Sequence, residues 1–165
     1  MNLTNYYWYF QSAIPERICD DIVRYGKSLQ DQMARTGGLN DKKLNKKQLI
    51  DLKNKRDSDV VWMNDRWIYN EIQPYIHKAN QNAGWNFQWD HSESCQFTKY
   101  KTGQYYDWHC DSWDTPYKKS KEDPINNKIR KLSVTVSLSD PKNYKGGELE
   151  FDYRNTDPNK KRNVQ

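Results

Sequence analysis

The residues of this sequence that are best placed for chemistry are His109 and Asp111, which stand two positions apart. In a strand, side chains at positions i and i+2 leave the same face, so the imidazole and the carboxylate would project together if this segment is extended. An imidazole and a carboxylate are two of the three ligands of the facial triad that holds Fe(II) and leaves coordination positions open. The same spacing also fits an ordinary surface histidine paired with an aspartate, so the surrounding sequence has to decide.

Three other polar residues could take part in such a site. Arg130 stands at the start of an apolar alternation, and we expect it to pair with an acidic loop residue rather than to bind a ligand. His77 lies in a helical pattern and His91 in a turn, so neither is expected to face His109. A site completed by one of these two histidines is the less favoured alternative.

The composition predicts a single domain, residues 1–165, with an aromatic core. A chain of 165 residues can bury a real core, and 12 Tyr and 7 Trp compensate for a hydrophobic content of only 35%. The three cysteines have unrelated spacings, which indicates neither a disulfide framework nor a zinc site. No apolar run approaches the roughly 20 residues of a membrane span, and no signal-peptide pattern opens the chain. We therefore expect a soluble protein in a reducing cytoplasm, without a membrane partner.

The net charge of +5 is concentrated in a Lys-rich stretch, residues 40–56. A run of like charges is typical of a solvated face. The stretch does not interleave aromatic with basic residues, as a groove for single-stranded nucleic acid would. We expect a mobile insertion or a short surface helix here. A basic nucleic-acid-binding domain remains the weaker functional alternative, and the oligomeric state stays open.

Helical periodicity comes first along the chain. After Pro15 and Glu16, apolar residues fall at helical spacing on one face: Ile18, Ile22, Tyr25 and Leu29. A second apolar-rich stretch runs from Val60 to Ala79, and we expect its helix to be kinked or split at Pro74.

Strand periodicity follows in the second half of the chain. Residues 95–99 alternate, and residues 132–139 place aliphatic side chains on one face and hydroxyl side chains on the other. Gly146 and Gly147 precede another predicted strand, residues 148–153. Helices followed by an antiparallel sheet or barrel predict the α+β class.

Three segments in this order resemble the 2-oxoglutarate/Fe(II) prolyl-hydroxylase superfamily, which includes prolyl 4-hydroxylases and the phage and bacterial hydroxylases of the PKHD type. Residues 96–111 are similar to the pattern Tyr-x-x-Gly-x-x-Tyr-x-x-His-x-Asp. Residues 130–141 resemble the strand that follows a flexible loop in this family, and residues 144–151 resemble its Tyr-x-Gly-Gly-Glu-Leu strand. The resemblance implies a double-stranded β-helix, or jelly-roll, with supporting N-terminal helices.

The resemblance also implies a dioxygenase with Fe(II), 2-oxoglutarate as co-substrate and O2. His109 and Asp111 match the family's first two iron ligands. Tyr100 matches a tyrosine that hydrogen-bonds the co-substrate, and Ser137 stands where some relatives have a tyrosine for the distal carboxylate. Leu149 matches an apolar wall of the co-substrate pocket. The reaction implied is hydroxylation of a C–H bond in a protein or peptide, in the first place of a peptidyl proline, in a bacterial or phage-infected cytoplasm.

The sequence departs from the family pattern at its end. The family's distal histidine and the basic residue that pairs with the far carboxylate have no counterpart after His109, so we expect an Arg or Lys and a His after Gln165. On this interpretation the final strands of the jelly-roll are missing and the domain is incomplete at its C-terminus. The alternative from another functional class is a non-catalytic interaction module on an incomplete β-helix.

Overall fold

The computed structural model describes residues 3–29, 45–112 and 114–152, together with the backbone of residues 32 and 33. Within these residues the α-helices are α1 (Glu16–Ser28), α2 (Lys46–Lys55) and α3 (Arg66–Asn82), and short 3-10 helices cover Leu3–Asn5 and Pro141–Asn143. The strands are β1 (Gln32–Met33), β2 (Arg56–Asp57), β3 (Asp59–Met63), β4 (Cys95–Lys99) and β5 (Tyr105–Tyr106). None of the described helices combines the length and the apolar content needed to cross a bilayer.

Two small antiparallel sheets organise the chain. The first has the order β1-β3-β4, with Val61 opposite Phe97 in its central ladder. The second joins β2 to β5, with Arg56 opposite Tyr106. Only one residue separates β2 from β3, so consecutive segments of the chain contribute to the two sheets.

The core forms where α1 and α3 meet the first sheet. Its buried residues are Ile22, Val61, Met63, Ile68 and Phe97. The predicted apolar face of α1 is confirmed, because Ile18, Tyr25 and Leu29 pack against this cluster. Full burial of such a side chain contributes about 1.5–3 kcal/mol each, so a few residues carry much of the stability.

The expectation for residues 60–79 is partly wrong. Val60 to Met63 form the central strand β3 rather than the start of a helix, because their β-branched side chains pair with β4 and bury Val60 and Val61. Helix α3 then runs through Pro74 without being split. Pro74 is exposed, so its ring lies on the solvent side and the helix loses one hydrogen bond without losing core contacts.

The two strands predicted for residues 132–139 and 148–153 are not formed in the described residues. The predicted aliphatic face turns inward only in part: Leu138 packs against the core, whereas Val134 of the same face is 56% exposed. A strand also requires a hydrogen-bonded neighbour, and no described strand pairs with either segment. The mixed helix-and-sheet class is therefore confirmed, while a double-stranded β-helix is not seen in this part of the chain; residue 153 lies outside it.

The Lys-rich stretch is helical where it is described. Asn45 and Gln48 form a reciprocal capping box that starts α2, and Leu52 is the buried residue of that helix. This agrees with the short-surface-helix form of the expectation for residues 40–56, and its mobility stays a prediction. Residues 40–44 lie outside the described residues.

Candidate metal centre

The segment that carries His109 and Asp111 begins where β5 ends. The backbone N–H of Asp107 donates to the carbonyl of Lys55 at 2.9 Å, which extends the pairing with β2 by one bond. The Asp107 carboxylate then accepts from the backbone N–H of Trp108 at 2.8 Å and turns the chain out of the ladder. The prediction that His109 and Asp111 lie in a strand is therefore wrong, because this turn places both in an irregular loop.

The loop nevertheless brings the two side chains together. His109 Nε2 lies 3.3 Å from Asp111 Oδ1, and the His109 side chain is 28% exposed. On the other side of the ring, Nδ1 lies 2.7 Å from the carbonyl oxygen of Asp107. A carbonyl only accepts, so Nδ1 must carry the hydrogen in this bond, and Nε2 is the nitrogen left to face Asp111.

The surroundings act on both pKa values. Burial is the largest influence on His109 and pushes its pKa down, but hydrogen bonds to the Asp111 carboxylate and the Asp107 carbonyl outweigh it, so the pKa is raised above 6.5. For Asp111, the hydrogen bond with His109 outweighs burial and, with help from the Ser133 hydroxyl, lowers the pKa to about 2. In the metal-free protein, a proton shared between His109 Nε2 and Asp111 Oδ1 explains why the pKa of His109 is raised and that of Asp111 is lowered.

This donor set fits an Fe(II) ion. With Nδ1 occupied by Asp107, a neutral His109 turns the lone pair of Nε2 toward the carboxylate of Asp111, and two facing acceptors need a proton or a cation between them. A backbone carbonyl on Nδ1 is the usual partner that fixes a metal-binding imidazole. Within the described ranges no third His, Cys, Asp or Glu side chain joins the pair in a metal-binding cluster.

An aromatic stack supports the imidazole from below. The ring of Tyr106 lies 3.6 Å from that of His109 at an interplanar angle of 11°. Arg56 lies over the ring of Tyr106 as well, with Cζ 4.4 Å from the ring centroid. Sequence reasoning missed Arg56 entirely, since it belongs to the Lys-rich stretch; the signal is the β2–β5 register, which places it opposite Tyr106.

Arg130 fastens the far end of the same loop. Its guanidinium binds both carboxylate oxygens of Glu93 and donates to the backbone carbonyl of Asp111 at 2.7 Å. The hydroxyl of Ser112 returns a hydrogen bond to the carbonyl of Arg130 at 2.7 Å. The expectation that Arg130 pairs with an acidic loop residue is confirmed, and the partner is Glu93.

The three residues assigned to the co-substrate are less closely joined to the pair. Tyr100 follows β4 and is 51% exposed. It lies near enough to Tyr106 to help raise the pKa of the Tyr106 phenol, although burial is the largest cause of that shift. Ser137 is exposed and Leu149 is 63% exposed, and the described contacts do not join either one to His109. Their assignment stays a prediction.

Comparison with known proteins bears on this half of the chain. Residues 95–165 match the family model of the 2OG-Fe(II) oxygenase superfamily, a range that contains His109, Asp111 and Arg130. Searches of curated proteins and of solved structures gave no significant match. This match supports, over residues 95–165, the superfamily anticipated from the motifs; the PKHD subtype stays a prediction. The family implies Fe(II), 2-oxoglutarate and O2 as the reacting partners.

Proposed function

We propose that this chain, a member of the 2OG-Fe(II) oxygenase superfamily by its residues 95–165, is a dioxygenase that holds Fe(II) with His109 and Asp111 and hydroxylates a C–H bond of a peptide. The observation that carries the proposal is the convergence of His109 Nε2 and Asp111 Oδ1 to 3.3 Å inside the matched segment. When bound, Fe(II), 2-oxoglutarate and O2 supply the oxidation, with succinate and CO2 as the accompanying products.

The chain's own residues prepare the site for that chemistry. The Asp107 carbonyl holds the proton on Nδ1 of His109, so Nε2 is the ligand atom. The hydroxyl of Ser133 helps lower the pKa of Asp111 and so favours the ionised form of the second ligand. Arg130 holds the backbone at Asp111. These contacts fix the ligand atoms before the metal arrives, which lowers the cost of binding it.

For the co-substrate we propose Tyr100, Ser137 and Leu149, as the family motifs imply. Tyr100 and Ser137 each offer a hydroxyl donor, and Leu149 offers apolar contact. A hydroxyl is a neutral donor and is worth about half as much to a carboxylate as a charged one, so these residues would orient the co-substrate more than they hold it.

A proline-containing peptide is the substrate class that we propose. The aromatic residue Trp108, 37% exposed, directly precedes His109 in the chain and supports this choice, since a proline ring packs well on an aromatic face. The proline itself is implied by the family motifs, so the assay compares peptides with and without proline.

The test is metal binding together with turnover. We expect the wild-type chain to bind Ni(II), an air-stable ion that N/O sites bind more tightly than Fe(II), and His109→Ala and Asp111→Ala to weaken this binding by more than about 100-fold, beyond the loss typical of an outer-shell change. The matched control is His77→Ala, since His77 stacks on Trp89 outside the site. Unchanged Ni(II) affinity in His109→Ala would refute the assignment.

Turnover is measured as succinate formed from 2-oxoglutarate under O2 with Fe(II), with and without a proline peptide. In a protein that carries all three iron ligands, we expect succinate formation that requires His109 and increases with the peptide. A chain that binds metal normally but forms no succinate with any peptide would instead be a non-catalytic interaction module.

A further inference from the structure

Arg56 is a buried charge beside the metal pair, and its surroundings need an explanation. The residue is 6% exposed, and its guanidinium donates to uncharged oxygens within the described residues: Ser58 Oγ at 2.9 Å and Thr98 Oγ1 at 3.4 Å, with the Gln96 side-chain amide beside them. Burying an arginine without a carboxylate partner costs free energy, and an apolar side chain of similar volume often serves stability equally well. The charge therefore calls for a role other than packing.

The planar guanidinium of Arg56 lies over the ring of Tyr106. Arg56 and Tyr106 are directly opposed in the β2–β5 ladder, which brings their side chains onto one face of the sheet. Cζ lies 4.4 Å from the ring centroid, within the range of a cation–π interaction, and desolvation makes such a contact stronger. Hydrogen bonds to the hydroxyls of Ser58 and Thr98 hold the planar guanidinium of Arg56 in one orientation over the Tyr106 ring.

Tyr106 passes this restraint to the imidazole of His109. The two rings are 3.6 Å apart and nearly parallel, at 11°. The stack fixes the plane of the imidazole, and the hydrogen bond from Nδ1 to the Asp107 carbonyl fixes its rotation within that plane. With both degrees of freedom set, Nε2 points toward Asp111 and nowhere else.

We propose that Arg56 is a positioning residue for the metal centre, acting through Tyr106 to hold the imidazole of His109 in the orientation that binds the ion. This rests on the proposed function for the identity of the ion, but the ring orientation itself is a property of the metal-free chain. It assigns a site role to a residue of the Lys-rich stretch, outside the segment that matches the family model.

The test uses Arg56→Met and Arg56→Lys in the full chain. Methionine keeps an unbranched stem without the charge, and lysine keeps the charge without the planar fork. We expect Ni(II) affinity to fall on the order of 10-fold in Arg56→Met, as for loss of an outer-shell partner, and less in Arg56→Lys. Arg24→Met is the matched control, because Arg24 is exposed and pairs with Asp21 on α1; it should bind Ni(II) as the wild type does.

A second readout reports the ring orientation directly. In the metal-free protein, the ring current of Tyr106 should shift the imidazole proton signals of His109 in the NMR spectrum, and this shift should shrink in Arg56→Met and in Tyr106→Leu. His77, stacked on Trp89 at 4.4 Å, is an internal reference whose signals should stay in place.

The outcomes separate the possibilities. If the His109 signals and the Ni(II) affinity of Arg56→Met both match the wild type, the positioning role is wrong. If the His77 signals move as much as those of His109, Arg56 supports the fold in general, and the proposal is equally overturned. If the wild type binds no Ni(II) yet the His109 signals move in Arg56→Met, the proposed iron site fails while the positioning of the ring stands.

Discussion

Arg130 and Glu93 are joined by two parallel hydrogen bonds, Nε to Oε1 at 2.8 Å and Nη2 to Oε2 at 2.6 Å. The remaining arm of the guanidinium reaches the backbone carbonyl of Asp111 at 2.7 Å. One arginine thereby connects the segment before β4 to the loop that carries His109 and Asp111. A lysine could not reproduce this arrangement, because it is a point charge without a planar fork.

Replacing Arg130 should therefore loosen the metal loop more than it destabilises the fold. We expect Arg130→Ala to lose about 1 kcal/mol of unfolding free energy, since the pair is partly exposed and screened by solvent, and to weaken Ni(II) binding at least 10-fold. Chemical denaturation and calorimetric titration measure the two effects. Lys128→Ala is the matched control: it removes an ion pair to the exposed Asp90 and should leave Ni(II) affinity unaltered. An equal loss of affinity in both variants would contradict the prediction.

Metal affinity should fall as the pH drops through the titration of His109. Its pKa is raised above 6.5 by the contacts with Asp111 and Asp107, against the opposing effect of burial, so protons compete with the metal from above 6.5 downward. Asp111, with a pKa of about 2, stays ionised over this range and adds no second step. Calorimetric Ni(II) titrations between pH 5.5 and 8 would check this; an affinity that is constant over the range would contradict it.

In the metal-free protein, the interaction of His109 with Asp111 should stabilise the fold. The His109 part of this stabilisation should decrease as the pH rises, whereas metal affinity increases. The raised pKa of His109 gives stability that is present below about 6.5, its unfolded value, and is lost as the pH rises through the folded pKa. The lowered pKa of Asp111 gives stability that is present above about 3.9 and is lost as the pH falls toward 2. We expect the melting-temperature difference between wild type and Asp111→Asn to be largest between about pH 4 and 6.5, and to shrink above it.

The sequence predicted the metal pair for a reason that turned out to be incomplete. A shared strand face was expected to bring His109 and Asp111 together, whereas a turn at Asp107 does so. Two side chains that are two residues apart stay close in most backbone conformations. The predicted proximity of His109 and Asp111 was therefore correct, although the predicted strand was not. The pairing of Arg130 was predictable because an arginine at the start of an apolar segment favours an acidic partner over a ligand, although Glu93 could not be named.

Other features depend on contacts between distant residues and could not be derived from local pattern. The strand β3 carries a short apolar run, which periodicity cannot tell from a buried helix, and its identity depends on pairing with β4. The role of Arg56 depends on the β2–β5 register, set 50 residues away. The alternation over residues 132–139 correctly predicted that Leu138 faces the core but not that Val134 is exposed, and whether a ladder forms depends on a neighbour that the pattern does not specify.

The helix of the Lys-rich stretch should be the least protected of the three described α-helices. Leu52 is the buried residue of α2, whereas α1 and α3 contribute Ile22 and Ile68 to the main core. Opening of α2 therefore exposes little apolar area, and its amides should exchange with solvent sooner than those of α1. Hydrogen exchange followed by mass spectrometry would show this. Protection of residues 46–55 equal to that of α3 would contradict the view of this segment as an insertion.

A close contact of the core lies between α1 and the first sheet, where Gly26 faces the ring of Phe97. A Cβ at Gly26 would lie 2.6 Å from Phe97 Cδ1, closer than side chains approach each other, and the ring cannot withdraw because it is buried. We expect Gly26→Ala to destabilise the protein by about 1–3 kcal/mol, more than the gain of about 1 kcal/mol that alanine brings to a helix. Combining it with Phe97→Leu, which frees space, should cost less than the two single changes added together. Additive losses in chemical denaturation would show that the clash is relieved elsewhere.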